Sequence, residues 1–396
     1  MITPSVTDRA TALSGDDLPA YVYDLTALAA HARAVREALP PAVELYYAAK
    51  ANPAPRVLAA LAPYVTGYEV ASGGELEHVR DAVPGRPLAF GGPGKTETEL
   101  RRALKLGVER FHVESEHELR LLGEIAGAGG LTAEVLLRVN LPLGEGELGG
   151  AALAMGGRPS PFGLDPDQVE RCLGHFTADG GPLRLRGIHA HLASGLDAQA
   201  QVSVAGRIAA WAQELSDRHA LGLTEVNVGG GMGVDYTRPE ERFDWAAYGA
   251  GLSEVSRRHP GLTLRIEPGR SLTVYCGWYV TEVLDLKHSG GEAFAVLRGG
   301  THHLRTPATK QHDQPFRVLP ADHWDRPWPR PAVTGEKITV VGQLCTPKDV
   351  LARRVPVDAL RVGDRIAFAL AGAYAWNISH HDFLMHPHPG FHYLGG

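Results

Sequence analysis

A handful of positions in this chain carry side chains able to work together in catalysis. Lys50 closes the apolar run 45–49 and precedes Ala51-Asn52-Pro53. Its stem therefore starts from a buried strand end, where desolvation would lower its pKa and leave an amine able to attack a carbonyl. Glu69, Arg138, His189, His191 and Ser194 likewise fall at or just beyond the ends of apolar stretches. Gly229-Gly230-Gly231 could let backbone N–H groups approach an anion, and Arg270, in Glu267-Pro268-Gly269-Arg270, could supply the counter-charge. Taken singly, the lysine and the glycines have plainer readings, a solvated charge and a turn. Together they describe an amine nucleophile, acids beside it and an anion cradle.

Strand–helix alternation is what must bring them together. Strand-like runs at 44–48, 67–70, 87–90, 111–113, 134–140, 185–191, 225–228 and 263–267 are separated by helix-like stretches, among them 74–81, 97–106, 116–126, 165–173, 202–219 and 243–258. This order predicts a parallel sheet with crossover helices, and eight strands over about 225 residues match a (β/α)₈ barrel. An open doubly wound sheet would fit the alternation too, but no G-x-G-x-x-G follows the first strand. In such barrels the carboxyl ends of the strands carry the chemistry, and the loops after strands seven and eight bind phosphate. The residues above occupy those ends. After Glu267 the pattern changes to strand-like runs at 273–284, 292–297, 337–341 and 364–371 without long amphipathic helices. The expected organisation is an N-terminal segment (1–26) whose strand at 20–24 joins a β domain (271–396), with the barrel at 27–270. The Pro/Trp-rich stretch 313–331 reads as an ordered loop.

An imine-forming lysine, a phosphate cradle and an acid between them point to pyridoxal 5′-phosphate (PLP). The motifs that carry this further are Tyr47-Ala48-Ala49-Lys50-Ala51-Asn52, Glu69-Val70-Ala71-Ser72 with Glu75, and His189-Ala190-His191-Leu192-Ala193-Ser194. The glycine run, Glu267-Pro268-Gly269-Arg270, Cys345 and Gly372-Ala373-Tyr374 complete them. In this order the chain resembles the fold type III PLP-dependent decarboxylases, the ornithine and diaminopimelate decarboxylase family, over about residues 20–376. The resemblance implies an alanine-racemase-like (β/α)₈ TIM barrel with a C-terminal β-barrel or sandwich domain. It implies that Lys50 holds the cofactor covalently and that His191 stacks on its ring. Ser194, Gly229, Gly230, Gly231, Arg270 and Tyr374 would bind its phosphate, and Glu267 would pair with the pyridine nitrogen. Glu69, Arg138 and Gly269 would complete the cofactor site. Ala193 departs from the family's usual glycine, which implies a slightly altered phosphate geometry. A carboxylate at Glu267 favours a protonated ring, the stronger electron sink, where the racemases of this fold carry an arginine; decarboxylation is therefore favoured. Cys345 falls at the family's proton-donor cysteine, contributed across a head-to-tail homodimer interface; without the motif it would read as a small buried apolar residue.

Relatives acting on simple diamino acids carry an acid directly after that cysteine; here the residue is Thr346. A site without that carboxylate binds a distal ammonium poorly. His302, His303 and Arg305, in Gly299-Gly300-Thr301-His302-His303-Leu304-Arg305, offer basic groups suited to a carboxylate-rich distal group. With Gly342-Gln343-Leu344-Cys345-Thr346-Pro347-Lys348-Asp349-Val350 and the stretch from Gly372 to Leu384, they resemble the siderophore-biosynthesis branch of the staphyloferrin B type. Its members decarboxylate a citryl-diaminopropionate intermediate to a citryl-ethylenediamine unit. The alternatives are a diaminopimelate- or carboxy-polyamine-type decarboxylase, against which Thr346 argues, and an inactive PLP-binding protein, against which Lys50 and Cys345 argue.

The remaining signals narrow the setting. The 396 residues include 39 Lys and Arg against 45 Asp and Glu, a net charge of −6 that attracts neither nucleic acid nor an anionic membrane. Three cysteines make no disulfide framework, and a cytoplasmic enzyme is expected. No run of about 18 apolar residues occurs and the start lacks a signal peptide's basic and apolar regions. Phe90-Gly91-Gly92-Pro93-Gly94-Lys95-Thr96 imitates a P-loop but has Ala89 where the first glycine belongs. His380, His381, His386, His388 and His392 match no zinc spacing, so the expectation is no metal and an irregular tail.

Overall fold

The computed structural model describes residues 2–142, 153–154, 156, 159–177 and 180–395. Eight parallel strands close into a barrel: Glu44–Ala48, Gly67–Val70, Leu88–Phe90, Arg110–Val113, Ala133–Arg138, Leu183–His189, Glu225–Asn227 and Thr263–Ile266. They are called barrel strands one to eight below. Closure is made by strand eight pairing with strand one, Arg265 opposite Glu44 and Ile266 opposite Leu45. Helices cover the outer face, so the short strands are buried on both sides and read as near-continuous apolar runs. Several crossover helices begin on side-chain caps, three of them in the first half of the barrel. Ser72 accepts from the Glu75 N–H, Ser115 from the Glu118 N–H, and Thr96 forms a capping box with Glu99. Each cap follows its strand by a few residues, which keeps the intervening loops short.

At the amino end of the barrel Arg265, with a side chain only 2% exposed, gathers acids from strands one and seven and from the residue before strand four. Its guanidinium meets Glu44 at 2.5 Å, Glu109 at 3.5 Å and Glu225 at 3.7 Å, and lies 4.1 Å over the Tyr46 ring. Arg110 pairs with Glu225, and the Tyr46 hydroxyl donates to Glu109 at 2.6 Å. This end is an ion-paired plug, set apart from the carboxyl ends of the strands.

The second unit is mostly sheet. Its strands run in the order Phe316–Leu319, Arg365–Phe368, Gly277–Ser289, Glu292–Leu297, Ala332–Val341, Val350–Arg361. Ala20–Asp24 joins as expected, antiparallel to Gly277–Ser289, and pairs on its other side in parallel with Gly390–Leu394. Val6, Ala10 and Leu13 from the helix Pro4–Ala12 and its end pack with Val22, Trp278 and Val280 in one core. By contacts the chain divides into residues 1–28, 234–242 and 273–396, and residues 29–233 and 243–272. The excursion of 234–242 into the sheet unit has no counterpart in the sequence reading.

Four elements differ from the sequence reading. The strand anticipated at 273–284 begins at Gly277, because a short helix Arg270–Thr273 and a turn Val274–Cys276 intervene. Val350–Arg361 is a full strand despite Pro356 and its charges, and the histidine-rich tail ends in a strand instead of staying irregular throughout. Within 313–331, Phe316–Leu319 is a strand. Among the described residues no helix is long and apolar enough to cross a membrane.

Candidate active site

Lys50 sits in a turn, Ala49–Ala51, directly after barrel strand one. On strand two, Glu69 lies opposite Ala48, two residues before the lysine. The amine donates to Glu69 Oε2 at 2.7 Å. The expected desolvation of this lysine is not met: its side chain is 47% exposed, and it is the partner Glu69, at 5%, that is buried. The turn lifts the amine off the strand end and into the mouth. Burial pushes the Glu69 carboxyl above its ordinary range, the Lys50 charge opposes this, and Glu267 adds to it. Glu75, whose Oε2 accepts from the Ala71 N–H at 2.7 Å, is pushed up to about 7, first by burial and then by Glu69.

The loops after strands six and seven are stitched together. Gly195 donates to the Gly231 carbonyl at 2.8 Å, and Gly230 donates to His191 Nδ1 at 3.3 Å. The triple glycine is a packing requirement before it is an anion cradle. Gly229 has φ +70°, and a Cβ there would stand 2.8 Å from His191 Cβ; one on Gly231, at φ +94°, would stand 2.1 Å from the Ala193 carbonyl. Two of the three N–H groups are spent internally, Gly229 on Asn227 Oδ1 and Gly230 on His191. His191 is half-buried, and desolvation, then the charges of Arg138 and Lys50, lowers it to about 3, so the ring is neutral. Ser194 lies in a two-residue strand, Ala193–Ser194, paired with Leu153–Ala154. Arg138, at the end of strand five, is held in a buried pair with Glu114 at 2.6 Å and lies 4.9 Å from the Phe162 ring.

Glu267 follows strand eight and is buried. Its Oε1 accepts from Asn227 Nδ2 at 2.6 Å, and its Oε2 lies 3.5 Å from His189 Nε2. Gly269 brings this loop against the lysine turn, since a Cβ there would be 2.9 Å from Ala51 Cβ; Arg270 opens the short helix that follows. The barrel thus carries Lys50, Glu69, Arg138, His191, Ser194, Gly229, Gly230, Gly231, Glu267, Gly269 and Arg270 at the carboxyl ends of its strands. Both nitrogens of the buried His189 and Nδ1 of buried His112 lack hydrogen-bond partners. An accessible amine, a buried carboxylate and orphaned buried imidazoles are a donor set that fits a carbonyl-bearing aromatic cofactor with a basic ring nitrogen.

In the sheet unit the two anticipated motifs meet. The Gly299 N–H donates to Gln343 Oε1 at 2.6 Å, and Gln343 N–H donates back to the Gly299 carbonyl at 2.8 Å. Buried Asp349 accepts from the Thr301 N–H at 2.6 Å and from the Leu344 N–H at 2.8 Å, which ties the His302 loop to the Cys345 loop. Cys345 is exposed, Thr346 half-buried and Arg305 exposed. His302 and His303 are fully buried, and burial, with neighbouring histidines second, lowers them to about 4 and 3. The cationic character expected of this pair is therefore absent, and the positive charge rests with Arg305. Tyr374 adopts φ +48°, and its carbonyl accepts from Thr306 Oγ1 at 2.5 Å.

The P-loop imitation is resolved by Lys95, whose buried amine donates to the Gly92 and His112 carbonyls and to Glu118 Oε1 within 2.8 Å. That lysine is structural. Sequence reasoning passed over His112, Asn227 and Glu114, and took in Asp349 only as one member of a motif. For His112 and Asn227 the signal was present, as polar residues inside the apolar runs of strands four and seven.

The pyridoxal-binding domain of the pyridoxal-dependent decarboxylases matches residues 25–274. The chain is 41% identical over 379 residues, 94% of its length and 93% of the relative's, to 2-[(L-alanin-3-ylcarbamoyl)methyl]-2-hydroxybutanedioate decarboxylase of Staphylococcus aureus. It is 33% identical to diaminopimelate decarboxylase of Vibrio cholerae, over 91% of this chain and 84% of that one. A crystal structure of a diaminopimelate decarboxylase variant from Helicobacter pylori, complexed with L-lysine, superposes with a TM-score of 0.84 at 25% identity, covering 98% of this chain and 93% of that one. Matched by the family's own cofactor-binding domain over most of its length, and by one relative nearly end to end, the chain belongs to the pyridoxal-dependent decarboxylases and is a PLP-dependent carboxy-lyase.

Proposed function

We propose that this enzyme acts in siderophore biosynthesis, releasing CO₂ from a citryl-diaminopropionate-type amino acid to leave a citryl-ethylenediamine unit. The observation that carries the reading is the 41% identity across 94% of the chain to a relative named for a substituted hydroxybutanedioate. Thr346 supports it, because no acid follows Cys345 to pair with a distal ammonium, and exposed Arg305 supports it, because a guanidinium suits a carboxylate.

PLP, when bound, supplies the electron sink for the pair left on the α-carbon as CO₂ departs. Lys50 is the residue to hold it, with Glu69 at 2.7 Å placed to take a proton from the amine. Glu267 would hold its carboxylate toward the ring nitrogen, and neutral His191 would offer a flat, uncharged face. Ser194, the glycine loop, Gly269, Arg270 and Tyr374 would hold the phosphate, and Arg138, locked by Glu114, would add fixed positive charge nearby. Cys345 would deliver a proton to the carbon that CO₂ leaves, and Thr346 and Arg305 would meet the distal part of the substrate, with His302 and His303, fully buried, shaping the loop that carries Arg305. The reading includes a homodimer with shared sites and a cytoplasmic setting, the latter in keeping with three free cysteines.

A panel of amino acids assayed for CO₂ release is the test. The citryl compound should be turned over with a kcat/KM at least about 10³-fold above ornithine, lysine and diaminopimelate, the discrimination that one unpaired buried charge provides. Equal turnover of diaminopimelate would replace this reading with the diamino-acid one.

A further inference from the structure

The barrel interior just below the candidate site is polar where barrels of this kind are filled with Val, Ile and Leu. Side chains from alternate strands form the layers of such a core, and the even-numbered strands here contribute Glu69, His112, His189 and, one residue past strand eight, Glu267. The layer is contiguous. A Cβ on Gly91 would stand 2.9 Å from Glu69 Oε1 and 3.3 Å from His112 Nδ1, and the His112 and His189 rings stack with centroids 4.2 Å apart at 19°. His189 is the last residue of strand six, opposite Asn227 on strand seven and Arg138 on strand five.

A metal ion is the first alternative, since His112, His189 and Glu267 offer atoms within 4.8 Å of one another. The stack rules against it. An imidazole binds an ion in its own ring plane, and two near-parallel planes about 4 Å apart do not meet at one ion without unstacking.

What the layer does supply is a grip on Glu267. Asn227 holds Oε1 at 2.6 Å. Facing Oε2 is His189 Nε2 at 3.5 Å, just beyond hydrogen-bond length, with neither of its nitrogens satisfied. We propose that His189, backed by stacked His112, is a positioning residue that closes onto Oε2 and fixes the Glu267 carboxylate for the ring nitrogen of the cofactor. The inference rests on the reading that Glu267 faces that nitrogen. Burial holds both imidazoles well below their ordinary pKa, so the layer provides an N–H donor without adding positive charge beside the ring. Asn227 in turn is fixed by its neighbours, its Oδ1 accepting from the Gly229 N–H at 2.9 Å. The glycine loop and the acid thus share one anchor.

The test titrates apoprotein with PLP and records the visible spectrum of the holoenzyme beside kcat and KM. His189→Phe keeps a ring on His112 but removes the donor. It should weaken PLP binding about tenfold, shift the holoenzyme absorbance, and lower kcat about tenfold with KM within about twofold, the range seen when supports behind a ligand group are removed. His189→Gln, whose amide reaches Oε2, should recover most of the loss, and shorter His189→Asn should not; this pair carries the test if the Phe variant does not fold. Wild-type PLP affinity and spectrum in His189→Phe, with Glu267→Gln perturbed in both, would overturn the positioning role alone. Wild-type affinity and spectrum in Glu267→Gln would overturn the underlying reading of Glu267 and the inference with it.

Discussion

Two carboxyls and one amine share the barrel mouth, and their balance sets a pH dependence. Glu75, in its folded position, holds its proton up to about 7, well above the ordinary glutamate value, because burial and Glu69 disfavour its charge. A group whose folded pKa is raised stabilises the fold fully below its unfolded pKa and loses that contribution as pH rises through the folded value. Glu69 is shifted in the same direction. The protein without cofactor should therefore lose thermal stability between about pH 5 and pH 8, and Glu75→Gln should flatten that slope, read as Tm against pH. An unchanged slope in the variant would remove Glu75 as its source. At the same scale, Lys50→Ala should abolish the covalent cofactor adduct in the intact-mass spectrum after borohydride reduction; an adduct persisting on another lysine would end the assignment. Arg305→Gln should raise KM for the citryl substrate about tenfold or more with PLP affinity unchanged, since it removes a charge-assisted contact and nothing from the barrel.

Barrel strands one, seven and eight do two jobs, plugging the amino end and presenting candidate site residues at the carboxyl end, and substitutions separate them. Removing one partner of a buried ion pair strands the others, so Arg265→Ala should destabilise the fold by about 3–5 kcal/mol in denaturant unfolding while the folded enzyme keeps its kcat. Arg265→Met, which fills the space but removes the charge that Glu44, Glu109 and Glu225 face, should still be destabilised. The barrel strands were legible because local chemistry dictates them. Buried parallel strands are unbroken apolar runs, and Glu44–Ala48 and Gly67–Val70 fall where the sequence predicts. Val350–Arg361 was hidden because its order comes from a partner, Ala332–Val341, that tolerates Pro356 and charges on an exposed face. Gly390–Leu394 was hidden for a related reason, as its pairing with Ala20–Asp24 spans nearly the whole chain. The site shows the same division. Lys50, Glu267 and the glycine loop stand at strand ends and announce themselves, whereas His112 and Asn227 point into the barrel from mid-sequence runs, where only the closed sheet reveals what they touch. The charge of His302 and His303 depends on burial, which residue type does not report.

At the scale of the whole molecule the proposed catalytic set is divided between two folding units. Lys50 and its neighbours belong to the barrel, while Cys345, Arg305 and Tyr374 belong to the sheet unit, where Asp349 pins the Cys345 turn beside the His302 loop. Cys345 is exposed, unlike Cys172 and Cys276, so its thiol is available to a reacting carbon outside its own unit. If that carbon is held by the barrel of a second copy, every site borrows one group from each chain, and the requirement is genetic as well as structural. On this reading, chains carrying Lys50→Ala and chains carrying Cys345→Ala should each lack decarboxylase activity alone. In a heterodimer one site collects both lesions and the other collects neither. Random reassociation of equal amounts makes half the dimers mixed, each with one intact site of two, so about a quarter of wild-type activity should return. A site built within one chain gives the opposite result, because every chain in the mixture then carries a fatal lesion. No recovery, with heterodimers seen in native mass spectra, would place Cys345 and Lys50 of the same chain in one site. Recovery that disappears on dilution would instead measure the affinity of the dimer, since only the associated form has a complete site.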